Sequence, residues 1–185
     1  MLTNYEKLCG ELEKQELEAT NGIATPSTYA QLLAIYLYQN DLCNAKFLWK
    51  RIPPTITSSN PEIVAIWAIG QKLWKKDLPG TYQAITAYTW TEPVASIIKA
   101  LEDKVRERSF ALIGSSYSSI SLEAVASMSG LSKDAVLHAC RDLKWELDAD
   151  GVTVAPKPPT TPQPLHTSSE DQLFKLTEFV SFLEN

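Results

Sequence analysis

The sequence predicts a mainly α-helical protein: a helical-repeat array of the tetratricopeptide-like kind, then a winged-helix subdomain, then a C-terminal helix. Three observations carry this reading. Apolar residues recur at helical spacing through successive segments between Tyr5 and Ile85. The strings YQNDL (residues 38–42) and WKKDL (residues 74–78) align at a spacing of 36 residues, with Leu37 falling on Leu73 and Trp49 on Ile85. Near the C-terminal end, two short helical patterns run into two β-rich segments joined through Asp150-Gly151, a strong hairpin pair.

Each element has its own justification. Over residues 2–17, Tyr5, Leu8 and Leu12 line one face of a charged helix, and Thr20-Asn21-Gly22 breaks it. Thr25 can cap a second helix with Pro26 at its first position, where the missing N–H costs nothing. That helix carries the stripe Tyr29, Leu32, Leu33, Tyr36 and Leu37. Asn40-Asp41 separates it from a third, with Leu42, Ala45, Leu48, Trp49 and Ile52, which Pro53-Pro54 ends. Ser59 or Asn60 starts the next at Pro61, with Ile63, Ile66, Trp67, Ile69 and Leu73 inward. Asp77 begins another, with Leu78, Tyr82 and Ile85. A period of about 34–40 residues built from helix pairs suits a short solenoid. Two ordinary antiparallel helix pairs in a bundle remain the alternative.

Thr91-Glu92-Pro93 reads as the capped start of a long helix whose apolar side holds Val94, Ile98, Leu101, Val105, Leu112 and Ile113. Arg106, Glu107 and Arg108 read as its solvated middle. After an extended Ile120, Ser121 caps a brief helix with Leu122, Val125 and Met128. Ser129-Gly130 turns the chain, and Ser132 caps a helix with Val136, Ala139, Cys140 and Leu143 inward. Strands are expected over residues 145–147 and 152–154, completing the order of a winged helix. Five prolines between residues 156 and 164 mark a stiff linker. Ser169-Glu170-Asp171-Gln172 then matches a capping box before a helix with Leu173, Leu176, Val180 and Leu183 at seam spacing, widened by Phe174, Phe179 and Phe182. The expected division is residues 1–90 for the array, 91–155 for the long helix and winged helix, 156–168 for the linker and 169–185 for the terminal helix.

Composition narrows the function classes. The longest apolar run, residues 63–69, is far too short to cross a bilayer, so no membrane role is expected. The first residues are acidic and amphipathic without a basic region before an apolar stretch, so a secretory leader is not expected and the chain reads as intracellular. Cys9, Cys43 and Cys140 are odd in number and widely spread, which suits reduced, mostly buried thiols. Seven glycines without a G-x-G-x-x-G or G-K-[ST] string offer no phosphate cradle.

A winged helix invites a DNA-binding reading, and the charges oppose it. The candidate recognition face shows Lys133, Asp134, Leu137, His138, Arg141 and Asp142, which sum to about zero, and Asp148 and Asp150 sit at the wing. The net charge of −5 points the same way. His138 and His166 are the only histidines, and neither they nor the cysteines have metal-ligand spacing. Cys140 and His138, two apart on a helix, point in different directions and make no nucleophile pair. Glu16 and Glu18 read as ordinary solvent-facing charges. No catalytic residue, metal, cofactor or small-molecule substrate is therefore expected. The candidate site is the apolar face of the terminal helix, Leu173, Leu176, Phe179, Val180 and Leu183. A helix this short must pack on something, either back on its own domain or in a partner bundle.

Residues 14–54, 66–82 and 176–185 resemble the PCI-domain subunits of the COP-9 signalosome. The resemblance implies helical repeats feeding a winged helix, and membership of a cytoplasmic and nuclear complex that removes the ubiquitin-like protein Nedd8 from cullins. It implies a scaffold role, with catalysis in a different subunit. Its partners would be other PCI subunits, met through the winged-helix edge and a bundle of C-terminal helices. Related subunits of the proteasome lid and of translation initiation factor three are the alternatives in the same class. A winged-helix nucleic-acid binder is the alternative in another.

Overall fold

A computed structural model describes residues 2–19, 22–148, 152–158 and 169–184, with side chains from residue 5 in the first helix and over residues 173–183 in the last. The expected break at Thr20-Asn21, the Asp150-Gly151 turn, His166, most of the linker and the Ser169 capping box lie outside the described residues or side chains.

Helix α1 (Leu2–Leu17) packs on α2 (Pro26–Gln39), burying Cys9 and Leu12. The cap at α2 is as expected: Pro26 opens the helix, and Thr25 Oγ1 accepts the Thr28 N–H at 3.2 Å. The single stripe expected for α2 is too narrow. Ala30, Ala34 and Ile35 are buried as well, because α2 is enclosed by α1, α3 (Leu42–Arg51), α5 (Pro61–Trp74) and α7 (Val94–Ser116). Small alanines between large residues let neighbouring helices close on every side.

The 36-residue similarity coincides with one backbone turn built twice. Asn40 and Lys76 both take the left-handed conformation, at φ 63° and 57°. The Asn40 and Asp41 N–H groups donate to Leu37 and Tyr36, and those of Lys76 and Asp77 donate to Leu73 and Lys72, all at 2.9–3.0 Å. Asp41 then caps α3 by accepting from the Asn44 N–H, and Asp77 caps α6 (Leu78–Thr86) by accepting from Gly80, both at 3.0 Å.

Several expectations need correction. Pro53-Pro54 does end α3, but Pro54 also opens an unforeseen helix, α4 (Pro54–Ser59), since the first turn needs no N–H from it. The Ser59–Asn60 cap of α5 is not made; the Asn60 side chain donates backward to the Ile56 carbonyl. Thr91 does not cap α7, which starts at Val94. Its N–H and hydroxyl instead donate to Glu62 at 2.9 and 2.8 Å, tying α7 to the start of α5. Glu16 is no free surface charge: it forms a bidentate pair with Arg51 at 3.1 and 2.9 Å, clamping α1 to α3. Cys43 is exposed, and only Cys9 and Cys140 are buried.

Two apolar clusters form among the described residues. The larger runs from Cys9 to Val105, and the smaller holds Ile113, Ile120, Leu122, Val125, Val136, Cys140, Trp145 and Val154. Helix α7 supplies both. In the smaller unit β1 (Ile120–Ser121), α8 (Leu122–Ser129), α9 (Lys133–Asp142), β2 (Glu146–Leu147) and β3 (Thr153–Ala155) follow in order. The antiparallel sheet has β3 at its centre, with Ile120 and Leu147 both opposite Val154. Ser121 and Ser132 cap α8 and α9 as expected. Trp145 precedes β2 rather than joining it, and packs edge-on against Phe110 at 5.8 Å. Leu112 and Leu143, expected inside, are exposed, because α7 and α9 present them beyond the edges of the two cores. Arg106 and Arg108 are half-buried instead of solvated, since α7 lies between the array and α8.

Candidate functional site

Helix α10 (Ser169–Glu184) carries the candidate surface. Leu173, Leu176, Phe179, Val180 and Leu183 keep 63, 61, 67, 52 and 79% of their surface. Phe174 and Phe182 are exposed too, so the helix presents its whole apolar side uncovered. Continuous apolar surface of this kind on a helix is the usual mark of a docking face. Lys175, Glu178 and Ser181 interrupt it and supply its polar margin.

The small sheet offers a second surface. Strands β1 and β2 each pair only with β3 among the described residues, so each leaves one edge free for another strand. The β2 edge is partly guarded: Lys157 reaches Glu146 at 2.8 Å and holds that carboxyl below the usual range. Leu147 and Val152 stay exposed beside it. The sequence places both in strands without a surface role; two apolar side chains on either side of Asp150-Gly151 are the available signal.

On α9, Lys133, Asp134, His138, Arg141 and Asp142 are exposed, and their charges cancel as the sequence suggests. Leu137, placed on that face by the sequence, is instead packed against the smaller core. Among the described residues, no group of three or more His, Cys, Asp or Glu side chains could hold a metal ion. No described helix is long and apolar enough to cross a membrane.

The junction between the two clusters is held by a few specific groups. Tyr82 of α6 is buried against Gly130 at the end of α8. Arg106 lies on the same ring, 5.9 Å from its centroid, donates to the Ser129 carbonyl, and pairs with Glu102 at 2.6 Å and Asp103 at 3.1 Å. Burial pushes the Tyr82 hydroxyl upward in pKa. These contacts fix how the small sheet is presented relative to the array.

A helical array that shares one long helix with a strand–helix–helix–hairpin unit is the architecture to which fold and surface assign the chain. A family model agrees over residues 23–164, and the chain belongs to the CSN8/PSMD8/EIF3K family. Its relatives include proteins named COP9 signalosome complex subunit 8. The one from Danio rerio is 44% identical over 180 residues, covering 97% of this chain and 94% of the relative. That from Drosophila melanogaster is 39% identical over 184 residues, covering 100% and 99%. That from Arabidopsis thaliana is 36% identical over 157 residues, covering 85% and 79%.

Proposed function

We propose that the chain is a non-catalytic scaffold subunit of a COP9-signalosome-type complex, which removes Nedd8 from cullins in the cytoplasm and nucleus. The carrying observation is the uncovered apolar face of α10, on a chain similar over nearly its whole length to proteins named as subunits of that complex. In this reading residues 1–90 form the array, 91–155 the PCI-type winged-helix part, and 156–168 a spacer. Residues 169–185 join a bundle of partner helices. Burying four Leu or Val and one Phe at roughly 1.5–3 kcal/mol each contributes on the order of 10 kcal/mol before ordering entropy is subtracted. The free edges of β1 and β2 receive a neighbouring subunit's strand. No nucleic acid enters this reading, because the exposed face of α9 is electrically balanced.

The test is affinity capture from cell extract with the tagged full chain and with a Leu176→Asp/Phe179→Asp variant. Both side chains are exposed, so the variant should fold normally. The wild type should recover a set of signalosome subunits, and the variant should lose most of them. Equal recovery by both chains would remove α10 as the anchor. Recovery of proteasome-lid or initiation-factor subunits instead would reassign the complex.

A further inference from the structure

One apolar groove lies away from α10 and from the sheet edges. It opens where the two similar turns of the array meet α7 and α8, and encloses about 320 Å³. Leu42, Leu73 and Leu78 come from the array, Leu112 and Arg108 from α7, and Met128 from α8. That volume is at the small end of ligand pockets, about 300–1,000 Å³, and suits the anchoring side chains of a peptide. Leu112 stands half exposed at the groove, a large apolar residue near the C-terminal end of α7.

Arg108 defines the chemistry. Its hydrogen bonds run to two carbonyls: Nε donates to Lys104 at 3.2 Å and Nη2 to Tyr38 at 3.5 Å. Nη1 has no partner among the described residues, and the adjacent Glu107 is engaged by Lys104 at 2.7 Å. Burial weakens the hold of the guanidinium on its proton, and the field of the neighbouring Glu107 offsets this only in part. Lys76, exposed on the second turn, adds another positive charge to the same lining. An arginine half withdrawn from water beside leucines, and hydrogen-bonded to no carboxylate among the described residues, is complementary to a ligand that brings one.

We propose that this groove docks an acidic amphipathic peptide segment of a partner protein, with leucine or phenylalanine anchors on Leu42, Leu73 and Leu112 and a carboxylate on Arg108. The inference does not depend on what α10 binds, since no described α10 side chain lines the groove.

The test titrates the full chain into fluorescein-labelled GSDELLEDFGS, into the same peptide with Asn and Gln for its acids, and into a version with Lys for its acids. Fluorescence anisotropy reads binding. The acidic peptide should bind saturably and more tightly than the other two. Leu112→Glu should weaken it about tenfold or more. Arg108→Gln should erase the preference for the acidic over the amide peptide, and Arg108→Lys should retain part of it. Thermal melts check that the variants fold; Leu112→Glu, at an exposed position, serves if Arg108→Gln does not. Absence of binding, equal binding of the lysine peptide, or binding indifferent to Leu112 and Arg108 would overturn the proposal. Binding seen only in the Leu176→Asp/Phe179→Asp chain would also overturn it, by making this chain's own α10 the occupant.

Discussion

Replacing Gly130 by alanine tests how the array and the small sheet unit are coupled. Gly130 ends α8 at φ 65°, a left-handed conformation. A Cβ there would stand 2.5 Å from Tyr82 Cγ and 2.7 and 2.8 Å from the two Cδ atoms, where ordinary contact begins at 3.4 Å. The ring must therefore withdraw by about 1 Å, yet it is buried in the larger cluster and carries Arg106 on its surface. Left-handed backbone costs alanine about 1–2 kcal/mol, and overpacking adds about 1–3 kcal/mol. A loss of about 3 kcal/mol follows, against a total stability of about 5–15 kcal/mol. For a chain of this size Tm should fall by about 6–12 °C. Urea denaturation followed by far-UV circular dichroism measures the loss. Gly130→Asn should be milder, since asparagine tolerates the backbone but still brings a Cβ. Combining Gly130→Ala with Tyr82→Leu should reveal a coupling of about 1–3 kcal/mol. A loss of under about 0.5 kcal/mol, or no coupling with Tyr82, would refute the argument that this contact sets the junction.

Two further measurements probe the array. Burial, reinforced by Glu13, pushes the Cys9 thiol up to about 11, and burial raises Cys140, whereas Cys43 is exposed. At about pH 8 an aromatic disulfide reagent should therefore modify one thiol quickly, and Cys43→Ser should abolish that phase; two or more fast thiols in the native chain would contradict this. The Lys72 ammonium at 2.9 Å and the Gly80 N–H hold the Asp77 carboxyl below the ordinary aspartate range. A folded-state pKa below the unfolded one means stabilisation that is full above about pH 4 and lost as pH falls through the folded value. The Tm difference between wild type and Asp77→Asn should thus shrink on going from about pH 6 to about pH 3; a difference unchanged by pH would count against the pair.

Local chemistry was legible wherever one residue dictates one geometry. Thr25-Pro26, Asp41, Asp77, Ser121 and Ser132 start their helices as their side chains require. What failed was choice among partners. Thr91 reads as a cap, but its N–H and hydroxyl both donate to the Glu62 carboxylate, 29 residues away. Glu16 sits on a helix face that looks solvated until α3 delivers Arg51 from 35 residues away. Pro54 reads as a stop in one direction and as a start in the other, and only the second half of that pair, α4, was unseen. Spacing along the chain carries no term for such long-range encounters.

The same limit explains why the candidate surfaces hide among core residues in the sequence. Helical periodicity identifies an apolar face but not what covers it. Along α7 the buried series Val94, Ile97, Leu101 and Val105 serves the larger cluster, and Ile113 serves the smaller. Between Val105, which serves the larger cluster, and Ile113, which serves the smaller, α7 leaves Leu112 half exposed. Leu143 at the end of α9 and the seam of α10 are apolar by the same periodic rule and uncovered for the same reason: the described fold places no element over them. Leu112, Leu143 and the α10 seam satisfy the period yet remain exposed, at the array–sheet junction, at the end of α9 and on α10. Each such position costs the isolated chain solvent-exposed apolar surface that a bound partner would relieve. On the proposed scaffold reading, association with partners is written into this mismatch between periodicity and burial, which becomes readable only when both are known residue by residue.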